Sequence, residues 1–212
     1  MLLDVFKKLD VYRKEINEFI SYDLIESKEK ELGIIFPESI KEFYHYYGND
    51  KIVKTADYVF DDINDIRIED NALCFGYYNQ GGSRLGIMIE NIKRSKCPQV
   101  SYRSKDDFRW YCEEGVDVIF FFRSVCWQIM ISMQGVARTE MDKKQFETLI
   151  GNDFEYLNGQ KAFLLSPVIP IVSDKILGCY LVRDELLYLG TNEEDDVLNE
   201  FEEKYDLDLD WL

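Results

Sequence analysis

The chain carries one histidine, His45, in the run Phe43-Tyr44-His45-Tyr46-Tyr47. A histidine-based triad or a multi-histidine zinc site can be assembled only around that residue. Its place beside aromatics at helical spacing reads instead as the polar side of a helix, a surface histidine. The five cysteines are Cys74, Cys97, Cys112, Cys126 and Cys179, an odd number with no Cys-x-x-Cys. That argues against a disulfide framework and a zinc knuckle, and for reduced thiols in a cytosol. Cysteine nucleophiles need an electropositive setting and a base. Cys74, Cys126 and Cys179 lie in apolar runs and read as small core residues, while Cys97 and Cys112 have no histidine near them in sequence.

Carboxylates are plentiful, yet their spacing singles out no acid/base pair. The run Asp61-Asp62-Ile63-Asn64-Asp65 resembles part of a calcium loop. It has Ile66 where the sixth-position glycine belongs and Ala72 where the terminal glutamate belongs. No phosphate-cradling or dinucleotide fingerprint occurs, and Gly76, Gly81, Gly82 and Gly86 read as turn and hairpin glycines. No catalytic residue, metal or cofactor is expected, and the chain reads as a non-enzymatic binding protein. Its alternative is a regulatory scaffold or small-ligand binder, with a pocket near Tyr77, Tyr78 and the Asn79-Gln80 loop.

Charge points toward partners. Among 212 residues, 41 acidic against 25 basic side chains give a net charge of -16. Such a surface repels nucleic-acid phosphates and anionic membranes and favours basic partners; it also serves solubility alone. The acidity concentrates at the C-terminus, in Glu193, Glu194, Asp195, Asp196, Glu200, Glu202, Glu203, Asp206, Asp208 and Asp210 against Lys204. Set on a helix with a buried apolar side, Glu193, Glu194, Asp195, Asp196, Glu200 and Glu203 form either an ordinary solvated face or a docking surface for a basic protein. The N-terminus lacks the pattern of a signal peptide. The most apolar stretch, 118–133, is interrupted by Arg123, Ser124 and Gln128 and falls short of the ~20 residues that span a bilayer. A soluble, cytoplasmic protein is expected.

The elements that must position these residues follow from periodicity. Ile16, Phe19, Ile20, Leu24 and Ile25 predict a first helix, continuing to Leu32-Gly33, where glycine takes the left-handed cap. Pro37 opens a second helix with Ile40, Phe43, Tyr44 and Tyr47 buried and Gly48-Asn49 at its end. Strands are expected over 58–60, 73–77, 85–89, 99–102 and 109–111, with a hairpin across Asn79-Gln80-Gly81-Gly82-Ser83. Val118, Phe121, Phe122, Val125, Ile129 and Met133 fit a mostly buried helix over 118–133. Beyond Gly135 come a helix over 143–150, strands over 168–172, 176–182 and 186–189, and a final helix from Thr191 or Asn192. Thr191 and Glu194 have capping-box spacing there. The domain reading is a core over 1–135 and an extension over 136–212, packed as one globular unit.

Three segments in order resemble the SUKH superfamily. Leu32-Gly33-Ile34-Ile35-Phe36-Pro37, followed by an aromatic helix ending in Gly48-Asn49, is similar to its leucine-glycine, proline and aromatic-helix signature. Ala72-Leu73-Cys74-Phe75-Gly76-Tyr77-Tyr78-Asn79-Gln80, then Gly86-Ile87, resembles its apolar strand running into Asn-Gln. Gln99-Val100-Ser101-Tyr102, Trp110-Tyr111 and the apolar helix follow. Tyr78 departs from the acidic residue common before Asn-Gln. The resemblance covers about residues 14–135 and marks Gly33, Pro37, Gly48, Asn79, Gln80, Gly86 and Trp110 as motif positions. It implies an α+β fold with a central mixed or antiparallel sheet flanked by helices, here followed by a C-terminal strand-strand-helix appendage. In function it implies an immunity protein neutralising a basic nuclease- or deaminase-type toxin, or more generally a protein-interaction module.

Overall fold

The computed structural model describes residues 18–50, 58–78, 81–123, 125, 137–157, 168–191, 193 and 196–211. It is an α+β protein whose described residues fall into two compact units, changing over at Phe122/Arg123, ahead of the 135/136 boundary set from the sequence. No helix among the described residues is long and apolar enough to cross a membrane.

Among the described residues of the first unit, the first helix in the chain is α1 (Tyr22–Leu32). Ser21 caps it by accepting the Leu24 N–H at 3.3 Å. The helix therefore starts later than the apolar spacing of Phe19 and Ile20 suggested. Residues 18–20 are not helical, and the Ile20 N–H donates to the His45 carbonyl at 3.1 Å. Ile16 lies outside the described residues. Gly33 closes α1 at φ 68°, and its N–H donates to the Glu29 carbonyl.

Helix α2 (Glu38–Tyr47) buries Ile40, Phe43, Tyr44 and Tyr47, the stripe its spacing predicts. Pro37 sits one position ahead of the helix, where its carbonyl accepts the Ile40 N–H at 2.9 Å. Gly48 ends α2 at a close approach. A Cβ there would stand 2.3 Å from Ile20 Cδ1 and 2.5 Å from the Tyr44 carbonyl oxygen.

An antiparallel six-stranded sheet follows: β1 (Tyr58–Phe60), β2 (Arg67–Glu69), β3 (Ala72–Tyr78), β4 (Ser83–Met88), β5 (Gln99–Ser104) and β6 (Tyr111–Asp117). Its order is β1-β3-β4-β5-β6. Both β1 and β2 lie along β3, with Phe60 opposite Gly76 and Arg67 opposite Cys74. One edge of the sheet is thus made from two short strands. Strand β2 escapes the pattern search because Arg67-Ile68-Glu69 has a single apolar residue.

Ile89 starts a short helix, α3 (Ile89–Arg94), rather than ending β4, and its N–H donates to the Asn71 carbonyl at 2.8 Å. Arg109 and Trp110 precede β6 instead of forming it. The Asp107 carboxylate accepts the Arg109 N–H at 3.0 Å and the Tyr111 hydroxyl, which holds the chain in a turn until Tyr111. Helix α4 runs over 118–123, with Val118, Phe121, Phe122 and Val125 fully buried. Of the remaining positions read as helix, Ser124 and 126–133 lie outside the described residues. Phe43 stacks on Phe122 at 4.4 Å and meets Phe60 at 4.6 Å, forming an aromatic core between α2, α4 and the sheet.

In the second unit, the three strands read from the sequence are β9 (Val168–Val172), β10 (Leu177–Leu181) and β11 (Leu186–Gly190). Strands β7 (Ala137–Glu140), β8 (Glu155–Tyr156) and β12 (Asp210–Trp211) enlarge them to a six-stranded antiparallel sheet in the order β12-β7-β11-β10-β9-β8. Helix α5 (Lys143–Leu149) begins with a capping box between Asp142 and Gln145. Phe146 and Leu149 are buried, and Phe146 stacks on Tyr180 at 4.1 Å.

Helix α6 (Asp196–Tyr205) begins after Thr191, not at it. The Thr191 hydroxyl donates to the Lys175 carbonyl at 2.8 Å and accepts the Glu193 N–H at 3.1 Å, so it ties the preceding turn to the β9–β10 connection. Its expected capping partner Glu194 lies outside the described residues, as does Asn192.

Gly48→Ala is expected to destabilise the first unit by about 1–3 kcal/mol, the usual cost of overpacking. Urea unfolding followed by tryptophan fluorescence measures this, and a neutral result means α2 ends without that close contact.

Candidate functional site

Register places a row of polar side chains on one face of the first sheet, since Tyr77 lies opposite Arg84 and Arg84 opposite Arg103. Arg84 is 4% exposed. Its Nη2 lies 2.7 Å from Asp61 Oδ2, held by charge more than by hydrogen-bond alignment. Nη1 donates to the Gly76 carbonyl at 3.2 Å, and the guanidinium lies over the Tyr77 ring at 4.2 Å.

Arg103 donates to Glu69 Oε2 at 2.8 Å and to Asp70, and lies over Trp110 at 5.0 Å. Arg67 donates to Glu69 Oε1 at 2.5 Å. Burial would raise the Glu69 pKa. The Arg67 hydrogen bond and the charges of Arg84, Arg67 and Arg103 outweigh it and hold the carboxyl below its ordinary value. Three guanidinium groups (Arg67, Arg84, Arg103) thus meet three carboxylates (Asp61, Glu69, Asp70), so the face is electrostatically closed. Among the described residues these six side chains are taken up with one another.

The described motif positions fall in three places. Gly86 and Trp110 come together, because a Cβ on Gly86 would stand 3.0 Å from Trp110 Cη2, so the indole lies on the glycine. Gly33 and Pro37 bracket a turn fixed by Glu29, whose Oε1 accepts the Phe36 N–H at 2.6 Å and pairs with Lys41 at 3.2 Å. Gly48 serves helix packing. Asn79 and Gln80 lie outside the described residues, in the β3–β4 connection.

His45 is only partly at the surface. It is half-buried, its Nδ1 bonds the Ile20 carbonyl at 2.7 Å, and its ring stacks between Phe19 and Tyr22 at 5.1 and 4.4 Å. Periodicity placed it opposite the core without showing that residues 18–22 cover that side. Cys74 and Cys179 are buried, and desolvation pushes both thiols up, away from thiolate chemistry. Cys97 and Cys112 are exposed, and Cys126 lies outside the described residues. Among the described residues no group of three or more His, Cys, Asp or Glu could hold a metal ion.

The C-terminal acids serve two purposes. Some are used within the fold: Glu193 pairs with Lys175 at 3.4 Å, Glu202 accepts the Leu209 N–H at 2.7 Å, and Asp210 pairs with Arg138 at 2.8 Å. Lys204, the cation of α6, is held by Asp153 at 2.6 Å. Hydrogen bonds from Lys204 and Tyr205 keep the Asp153 carboxyl below its ordinary value. Burial and the bond to Asp153 push the Tyr205 hydroxyl up to about 12. Asp196, Glu200 and Glu203 are exposed and have no side-chain partner among the described residues. Leu198 and Phe201 anchor the opposite side of α6 in the core. Glu194 and Asp195 lie outside the described residues.

Comparison with protein-family models, curated proteins and solved structures gives no match.

Arg84→Leu is expected to cost about 3–5 kcal/mol, because it leaves the buried Oδ2 of the nearly buried Asp61 without its cation. Chemical denaturation measures it, and a loss below 1 kcal/mol means that the pair is solvated. Glu69 is more acidic folded than unfolded. Its contribution is therefore present above the ordinary value of 4.5 and fades as pH falls through its lower folded value. Stability measured between pH 7 and roughly pH 3 is expected to fall less steeply in Glu69→Gln than in the parent, and parallel profiles exclude this role.

Proposed function

We propose that the chain is a non-enzymatic, SUKH-type protein-binding module that acts in the cytoplasm as an immunity protein for a basic nuclease- or deaminase-type bacterial toxin. The observation that carries this reading is the outer face of α6. There Asp196, Glu200 and Glu203 stand exposed and unneutralised, while Lys204 is drawn off to Asp153. A helix anchored by Leu198 and Phe201 presents these carboxylates from a backbone that need not fold on binding. Added to the net charge of -16, they would speed encounter with a basic partner and select against acidic ones.

The order of the three motif segments supports the same reading. Where nucleases and deaminases carry cationic substrate grooves, an acidic protein can occupy the place of the phosphates.

The test is co-expression with the product of the neighbouring reading frame, followed by affinity capture. A one-to-one complex that weakens with salt and abolishes the neighbour's toxicity is expected. The combined reversal Asp196→Lys, Glu200→Lys, Glu203→Lys is expected to weaken it more than tenfold. No captured neighbour, or a complex indifferent to both salt and reversal, overturns the proposal and favours a scaffold or small-ligand role.

A further inference from the structure

A cavity of about 700 Å³ opens in the second unit beside α6, within the size range that ligands and inserted side chains occupy. Its floor is apolar, made by Phe154, Val172, Ile176, Val197 and Phe201 from the loop before β8, the end of β9, the β9–β10 turn and α6. Its rim is charged, and its two cations are already engaged: Lys204 by Asp153 and Lys175 by Glu193. Two further carboxylates on the rim, Asp174 and Glu200, are exposed and meet no cation among the described residues.

The turn that presents Asp174 is fixed. Ser173 Oγ accepts the Ile176 N–H at 2.9 Å and the Lys175 N–H at 3.3 Å, while the Lys175 carbonyl is held by Thr191. Asp174 is therefore presented by a braced turn, and Glu200 by an anchored helix.

An apolar floor under a net-negative rim matches one kind of side chain, a long aliphatic stem ending in a cation. We infer that this groove seats a basic polypeptide segment, an arginine or lysine stem lying on the floor and its head on the Asp174 and Glu200 carboxylates. The inference rests on the reading of a basic protein partner and gives that partner a docking place. Phosphate-bearing occupants are repelled by the same rim. A polypeptide fits better than a free polyamine because the aromatic and branched floor also accepts the apolar neighbours of the basic residue.

The experiment uses the full chain and, as probe, a capped peptide of alternating arginine and leucine, titrated calorimetrically at low salt. The double variant Asp174→Asn, Glu200→Gln is expected to bind at least tenfold more weakly, with an unchanged melting temperature because both residues are exposed. Glu147→Gln, on α5 and not among the residues lining the groove, is expected to stay within twofold of the parent. Replacing the arginines of the peptide by citrulline is expected to abolish binding. Equal binding by parent and double variant, no binding by the parent, or spermidine binding as tightly as the peptide overturns the inference. A co-expressed neighbour captured equally by parent and double variant removes the groove and leaves the partner reading in place. Peptide bound in the groove with no neighbour captured does the reverse.

Discussion

Withdrawing a guanidinium from water costs several kcal/mol unless charge and hydrogen bonds replace the lost hydration, and Arg84 makes the first unit meet that demand. Asp61 comes from the end of β1, Glu69 from β2, the Gly76 carbonyl from β3, and the Tyr77 ring from the position opposite Arg84 itself. The two short edge strands supply the two carboxylates, so their shared place along β3 and the burial of Arg84 depend on each other. Arg103 extends the same network to β5 through Glu69, and Trp110 covers Arg103 and Gly86 from outside the ladder.

Similar polar anchors fix other joints. Glu29 holds the turn between α1 and α2. The Tyr44 hydroxyl donates to the Phe75 carbonyl at 3.1 Å, at the irregularity in β3 where the pairing with β4 shifts between Cys74 and Gly76. In the second unit, Tyr180 donates to the Met141 carbonyl at 3.0 Å, and Asp153 collects Lys204 and Tyr205. Each satisfies a buried or half-buried group that would otherwise be costly. Asp196, Glu200, Glu203 and Asp174, all in the second unit, are among the exposed carboxylates that meet no cation among the described residues. The proposed binding role rests on these unpaired carboxylates.

Much of the candidate surface was legible in the sequence. An acidic helix with Leu198 and Phe201 inward must turn Asp196, Glu200 and Glu203 outward, and composition alone marks the C-terminus as negative. The groove was not legible. Asp174 and Lys175 read only as a turn, and nothing local shows that α6 packs beside that turn or that Lys204 is taken by Asp153, 51 positions away. The Arg84 network was hidden for the same reason: an arginine inside a strand-like run becomes a structural cation only when distant carboxylates are brought to it.

Local chemistry by itself determined the stripe of α2, the left-handed glycine after α1, the β3–β4 hairpin, α5 and the three central strands of the second sheet, because period and turn preference act within a few residues. Tertiary structure decided where competing local signals were resolved. Ser21 fixed the entry of α1 by its hydrogen bond, Thr191 was drawn to the β9–β10 connection instead of starting α6, Asp107 delayed β6, and residues 18–22 partly covered a histidine that periodicity left facing solvent. It also decided the pairings of β2, β7, β8 and β12, since a short strand with little apolar alternation exists only where a neighbour's edge offers its hydrogen bonds.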